Sequence, residues 1–286
     1  MKYNNLDNLV SIVLPVYKPN FSWFELCIKS LAKQTYGKKE LIVIIDPSKS
    51  NSKNEKKIVN ITDEYSKYFT SSKVIVNSRR KGFVKSLNMA IALSEGTYIA
   101  RADADDYYDA RRLKYQVLFM KKYRLDICGT DAWLIDSQGN IIGETKMPFT
   151  SRDIKLSSIF NSPLLHPTVM FKKEILYKIG LYHEKFLYAE DYELWLRSLS
   201  KGFYVLNIPL KLAYIRVHSA SLSRKRWLHQ RLTLGKCRIY SLMRYFLKRE
   251  QSYLLYALPL AIILFYSTLF IHPKIAYKID PYKNLI

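Results

Sequence analysis

The sequence predicts an α/β fold, a mixed and mostly parallel central sheet flanked by helices, and three observations carry that expectation. Short β-branched runs recur at 10–16, 41–45, 73–76 and 98–100. Segments with helical spacing separate them, at 21–34, 55–68 and 82–94. With 286 residues, 49% of them hydrophobic, the chain can bury a sizeable core. Strands alternating with helices of this length favour a parallel sheet covered on both faces, which binds ligands beyond the carboxyl ends of its strands.

The first run ends at Pro15-Val16-Tyr17, and Phe24, Ile28 and Leu31 then recur at helical intervals. The second run ends at Asp46 and precedes a polar helix, the third precedes a helix that opens at Gly82, and the fourth runs into an acidic cluster. An amphipathic, basic helix follows at 110–123. Strands at 127–135 and 141–143, joined by the turn Ser137-Gln-Gly-Asn140, end the simple alternation. A helix from Ser151, a strand at 168–171, a helix at 189–201 and strands at 204–208 and 211–217 give the second half a mixed α+β character.

Forty-six Lys and Arg against twenty-four Asp and Glu, a net charge of +22, imply attraction to polyanions: nucleic acid, an anionic membrane leaflet or a phosphorylated small molecule. Cys27, Cys128 and Cys237 have neither zinc-site nor disulfide-framework spacing, which fits a reducing, cytosolic setting. Residues 1–8 are polar and lack the apolar stretch of a signal peptide. No glycine fingerprint of the dinucleotide-binding or P-loop kind follows any predicted strand, so phosphates must be handled by other means.

The composition changes at 224. Residues 224–249 hold nine Lys or Arg and no Asp or Glu, with Leu228, Leu232, Ile239, Met243 and Phe246 at helical intervals, the pattern of an interfacial basic helix. Residues 253–271 carry no charge, are broken by Pro259, and could reach about 28 Å as a helix. A membrane span, a re-entrant hairpin and a buried core helix all stay open, and the positive-inside comparison favours a cytosolic 224–249 side. We therefore expect a domain over 1–223 and a membrane-associating tail over 224–286.

The chemistry concentrates at Ala100-Arg-Ala-Asp-Ala-Asp-Asp106, three carboxylates within four residues of a basic chain. Such like charges repel unless they serve a cation, although a turn or helix cap would look the same. Alternation in an extended segment places Asp103 and Asp105 on one side and Asp106 elsewhere, giving two hard donors for magnesium or manganese that carries substrate phosphates. The basic run Arg79-Arg-Lys-Gly82, with Arg101, could neutralise a diphosphate or be a solvated loop. Asp46 could accept from a nucleobase or ribose, or be a turn residue. Glu190-Asp191 opens a helix, where a carboxylate also serves as a cap. Asp191, however, shares a helix face with Leu194, Trp195 and Ser198, and partial desolvation would raise its pKa toward that of a general base. His166 and His218 could each be a core residue, a metal ligand or an orienting group.

Taken in order, Ser11-Ile-Val-Leu-Pro-Val-Tyr17, the strand ending in Asp46, the helix from Gly82 to Asn88, Tyr98-Ile-Ala-Arg-Ala-Asp-Ala-Asp-Asp106, His166-Pro-Thr-Val-Met-Phe171, Glu190-Asp-Tyr-Glu-Leu-Trp195 and Tyr214-Ile-Arg-Val-His218 resemble glycosyltransferase family 2 over roughly residues 10 to 223. The resemblance implies a GT-A fold and inverting transfer of a sugar from a nucleotide-diphosphate donor with Mn or Mg. It implies that Asp103 and Asp105, with Ala104 between them, hold the metal and donor diphosphate, that His218 completes the metal shell, and that Pro15, Val16, Tyr17 and Asp46 line the donor site, to which the basic run itself adds Arg79 and Lys81 as candidates. It implies Asp191 as the base, and we expect His166 and Glu190 on the acceptor side. The family commonly reads Asp-Asp-Gly-Ser after the second strand; this chain has Asp46-Pro47-Ser48 and lacks one acid and the glycine.

These implications lead us to expect a metal-dependent glycosyltransferase of surface polysaccharide, O-antigen or capsule synthesis. A UDP-sugar is the favoured donor and a glycan or lipid-linked molecule the acceptor, with no nucleic acid as partner. Its expected place is the cytoplasmic face of the cell membrane, held by its tail to an anionic surface. Two alternatives are a nucleic-acid-binding protein using the 224–249 helix and a catalytically silent membrane scaffold with the same fold.

Overall fold

The computed structural model describes residues 8–48, 52–218, 232–237 and 239. Its first half follows the predicted alternation: β1 (Val10–Val16), α1 (Phe21–Ala32), β2 (Lys39–Ile45), α2 (Ser52–Tyr65), β3 (Ser71–Val76), α3 (Phe83–Leu93) and β4 (Tyr98–Arg101). Then come β5 (Tyr107–Tyr108), α4 (Arg112–Lys122), β6 (Ile127–Ile135), β7 (Ile141–Glu144), α5 (Ser151–Phe160), β8 (Met170–Lys172), α6 (Glu174–Ile179), α7 (Glu190–Ser200) and β9 (Val205–Arg216).

One sheet runs β3-β2-β1-β4-β8-β6-β9-β5, with β7 paired to β6. The first four strands in that order are parallel. From β8 onward the sheet is mixed: β8 is antiparallel to β4 and β6, β9 is parallel to β6, and β5 is antiparallel to β9. The alternation of the strands sorts side chains to two faces. Ile12, Leu14, Leu41 and Val43 pack with Phe24 and Ile28 of α1, Ile58 of α2 and Val117 of α4. Val13, Ile42, Ile44 and Ile99 pack with Leu87 of α3, Ile154 of α5, Ile175 of α6 and Trp195 of α7. Each such fully buried aliphatic side chain contributes about 1.5–3 kcal/mol over its exposed state.

The structure departs from the sequence reading in places with local causes. The predicted strands 204–208 and 211–217 are one strand, β9. Ile208 pairs with Thr130 and Lys211 with Asp131, so Pro209 and Leu210 bulge outward, where a residue without an amide hydrogen costs no ladder bond. A 3-10 turn at His166–Thr168 replaces the start of the predicted 168–171 strand. The two-residue β5 and the one-and-a-half-turn α6 are too short to leave a periodic signal. The 223/224 boundary, most of the 224–249 helix and all of 253–271 lie outside the described residues. Within 232–237 the chain is helical, and Leu234 and Cys237 pack against Ala189, Tyr192 and Leu196. Among the described residues no helix is long and apolar enough to cross a membrane.

The amino end of the sheet is closed by polar contacts. The buried Glu40 carboxylate accepts from Ser11 Oγ at 2.5 Å, from the amides of Glu95 and Gly96 at 2.6 and 3.0 Å, and from Ser71 Oγ at 3.3 Å. A Cβ at Gly96 would lie 2.7 Å from both Leu9 O and Ser11 N. Gly96→Ala should therefore destabilise the chain by about 1–3 kcal/mol, because backbone on both sides must shift. Urea unfolding measures this, and an unchanged midpoint would show that the β1–β4 edge yields freely.

Candidate active site

Parallel strands β1, β2 and β4 end together at the opposite edge, where ligands of such sheets bind. After β4 the Ala102 amide donates to Val13 O at 3.2 Å, and the acidic loop begins. It is held from several sides. The Asp103 amide donates to Tyr108 Oη at 2.8 Å, Cys27 Sγ donates to Asp103 O at 3.2 Å, and the Asp106 amide turns back to Asp103 O at 3.3 Å.

The expected extended run is a turn, closed by that 103–106 bond, so the turn and its partners, not alternation, sort the carboxylates. The side chains of Asp103 and Asp105 are 28% and 41% exposed, whereas Asp106 is buried and accepts from the Arg216 amide at 2.8 Å. Burial and the two neighbouring carboxylates raise Asp106 well above the ordinary carboxylate range. Burial also raises Asp103, against the pull of Arg101, whose Nη2 donates to Asp103 Oδ1 at 2.6 Å. Arg101 is thus a buried partner of Asp103, stacked 5.0 Å from the Phe83 ring, and its counter-charge is already spent within the loop. His218, just past β9, brings Nε2 to 3.0 Å from Asp105 Oδ2.

A carboxylate and an imidazole facing the same space, with a second carboxylate two residues away, is a donor set suited to manganese or magnesium. The expected convergence of Asp103 with Asp105 is not seen: among the described residues no three such side chains are gathered at ligand spacing, Asp103 pairs with Arg101, and Asp105 meets His218. Asp103, Asp105 and His218 fit a divalent cation by their chemistry.

Just past the end of β1, Tyr17 is 41% exposed and stacks under the Arg80 guanidinium at 4.2 Å. Pro15 and Val16 belong to buried β1 and position that ring. Asp46 accepts from Asn77 Nδ2 at 2.7 Å and from the amides of Lys81 and Gly82 at 3.0 and 2.7 Å. It therefore fixes the 77–82 loop and keeps roughly one acceptor position of about four. The Lys81 ammonium lies 3.8 Å from Met89 Sδ, while Arg79 is exposed. Of the basic run expected to neutralise a diphosphate, only Arg79 and Lys81 are named for the donor site, whereas Arg80 is the one that faces a ring; spacing alone does not tell which of three adjacent bases does so.

Glu190 and Asp191 open α7 beside this edge. Burial and mutual repulsion push Glu190 up to about 7, and burial pushes Asp191 up to about 6, with Asp103 adding to the push. Glu190 Oε2 is buried without a hydrogen-bond partner. Leu194, Trp195 and Ser198, which share the predicted face, are fully buried. His166 meets Tyr182 Oη at 3.1 Å through Nε2 and is edge-on to Phe83 and Trp195. Burial, helped by Arg101, lowers it well below the usual imidazole range, so it is neutral and oriented.

Comparison with known proteins agrees with this geometry. The family model described as glycosyl transferase family 2 matches residues 11–180. An uncharacterized glycosyltransferase of Methanocaldococcus jannaschii is 31% identical over 68% of this chain and 66% of its own length. The O-antigen biosynthesis glycosyltransferase WbnJ of Escherichia coli is 29% identical over 85% of this chain and 91% of its own. S. aureus TarS 1-349 in complex with UDP-GlcNAc superposes with a TM-score of 0.61 at 18% identity, over 96% of this chain and 89% of that one. The mannosyltransferase PcManGT from Pyrobaculum calidifontis, in complex with GDP-Man and Mn2+, gives 0.61 at 15% identity over 94% of this chain and 77% of that one. These likenesses fix the GT-A-type fold, and a family match spanning more than half the sequence, centred on the strands that carry the acidic loop, means that the chain belongs to glycosyltransferase family 2.

Proposed function

We propose that the protein is an inverting, divalent-cation-dependent glycosyltransferase that moves a sugar from a nucleotide-diphosphate donor to a growing surface glycan. The observation that carries this is the meeting of Asp105 and His218 at 3.0 Å, next to Asp103 and at the carboxyl edge that also holds Asp191. Asp103, Asp105 and His218 would hold Mn or Mg, which when bound supplies positive charge against the donor diphosphate. Tyr17 and Arg80 offer a stacking surface for the base, and the amide-bound Asp46 keeps the adjoining loop in place.

Asp191 takes the proton from the acceptor hydroxyl as that oxygen bonds to the anomeric carbon. The bond from that carbon to the diphosphate oxygen breaks on the far side, and the nucleoside diphosphate leaves with the electron pair. One displacement inverts the configuration. A base held at about 6 by burial is ionised at neutral pH yet stronger than an ordinary carboxylate.

A UDP-sugar is favoured as donor because TarS was solved with UDP and with UDP-GlcNAc, although the neighbour with GDP-Man keeps a guanine nucleotide in view. A lipid-linked acceptor is supported by a relative 26% identical over 77% of this chain, the UDP-Glc:alpha-D-GlcNAc-diphosphoundecaprenol beta-1,3-glucosyltransferase WfaP of Escherichia coli. O-antigen or a similar surface polysaccharide is the product class that the name of WbnJ favours. The basic segment 224–249 suits an anionic cytoplasmic leaflet. A nucleic-acid-binding protein and a silent scaffold have no counterpart among the relatives named above.

Asp103→Ala and Asp105→Ala should each lower Mn-dependent turnover of a nucleotide-sugar panel by about 10²–10³-fold with melting temperatures within a few degrees of wild type; wild-type rates in both would remove the cation site. Asp191→Asn should cost about 10²–10⁴-fold in kcat while donor affinity holds. The base works ionised and its pKa is raised in the free protein, so kcat/KM should fall as pH drops through about 6, and an acid limb near 4 would take the role from Asp191. Full-length protein should co-sediment with vesicles containing anionic lipid and be released by salt, and indifference to lipid charge would defeat the membrane assignment.

A further inference from the structure

The cation-side groups come from two distant parts of the chain, the loop after β4 and the end of β9, and something must hold them in register. Arg216 is the last residue of β9 and pairs with Ile135. Its amide donates to Asp106 Oδ1 at 2.8 Å. Its Nε donates to the backbone oxygen of Asp105 at 3.0 Å, and Nη1 donates to Asp136 O and Ser137 O at 2.7 and 3.2 Å. The turn that supplies those two carbonyls is itself rigid. The Asp136 carboxylate accepts from the amides of Gln138 and Asn140 and from Asn140 Nδ2, all at 2.9 Å.

The guanidinium also lies 4.7 Å above the Trp23 ring of α1. The same indole meets the His218 ring at 5.1 Å between centroids, tilted by 52°. His218 in turn reaches Asp105. The contacts close a circuit from Arg216 to the Asp105 backbone, through the Asp105 side chain to His218, and through Trp23 back to Arg216. Moving any one group disturbs the others, and every link fixes either a backbone position or a ring plane.

We infer that Arg216, braced on Trp23, is a positioning residue that sets the spacing between Asp105 and His218 and so tunes the affinity of this site for a divalent cation. The inference rests on the proposed cation role of Asp105 and His218. Arg216 is buried, and the bonds described above run to loop and turn backbone and to the Asp106 carboxylate. Its effect therefore falls on cation binding before it falls on the chemical step. A lysine in its place keeps the charge but lacks the planar fork that serves Asp105 and the 136–137 carbonyls together.

The test titrates Mn2+ alone into the full-length protein and follows loss of the free-ion paramagnetic resonance signal, with circular dichroism and melting temperature as checks of folding. Outer partners of metal ligands typically change affinity by roughly 10–100-fold. Arg216→Lys should weaken Mn2+ binding by about that factor, and excess Mn2+ should restore kcat to within a few-fold of wild type. Trp23→Ala should weaken binding in the same sense, whereas Trp23→Phe, which keeps a ring under His218, should stay near wild type. Because Trp23 lies on the half-exposed side of α1, its variants decide the matter if Arg216→Lys does not fold. Folded variants that bind Mn2+ like wild type, while Asp105→Ala does not, would overturn the inference and leave the cation site standing. Absence of saturable Mn2+ binding in the wild-type protein would overturn both.

Discussion

Three carboxylates in four residues cannot sit together at a sheet edge without counter-charge, and the surrounding structure is organised by that constraint. Buried guanidinium groups answer it. Arg101 pairs with Asp103, and Arg216 ties down the Asp105 carbonyl while its amide serves Asp106. Arg112 donates to the Arg101 carbonyl at 2.7 Å and so holds the strand end from which the loop departs. Each guanidinium faces an aromatic ring: Phe83 for Arg101, Tyr108 for Arg112 and Trp23 for Arg216. A ring face and a backbone carbonyl replace lost water, and the planar cation exploits both at once. Removing one partner from such an arrangement strands a buried charge, at a cost of about 3–5 kcal/mol.

Much of this was legible in the sequence, and what was not has identifiable causes. The acidic cluster itself was legible, and Asp106 is buried while Asp103 and Asp105 are partly open, but the cause is the turn at 103–106 and not the alternation of an extended segment. The strands through β4 were legible because β-branched residues recur with helices between them. The roles of Arg101, Arg112 and Arg216 were not legible. Local patterning treats a basic side chain as solvated, and only tertiary partners far away in the chain reveal it as buried. Asp46 illustrates the same limit: its donors come from residues 77 to 82, and nothing near position 46 announces them. The break at Pro209-Leu210 looked like the end of a strand because a bulge and a turn share their composition.

The helix that carries Asp191 is constrained from both sides. One face is core, with Leu194 and Trp195 fully buried, and Arg197 forks to Glu193 and to the carbonyls of Gly180 and Leu181. Its opening turn, at Ala189 and Tyr192, is covered by Leu234 and Cys237. Residues beyond the sheet thus contribute to the surroundings of the proposed base, and a division of labour between a catalytic unit and a tail is not clean at this point of the chain.

The pairing of β9 with β6 has a consequence for the order in which the molecule is built. Ile127 waits for Val205, and Ile135 for Arg216, so the sheet stays incomplete until nearly all of the domain has been synthesised. A nascent polypeptide still short of residue 216 already holds the acidic loop but neither the guanidinium bonded to it nor the imidazole beside it. The surroundings of the acidic loop are therefore completed late in the chain, by the strand that runs to residue 216 and the imidazole just past it.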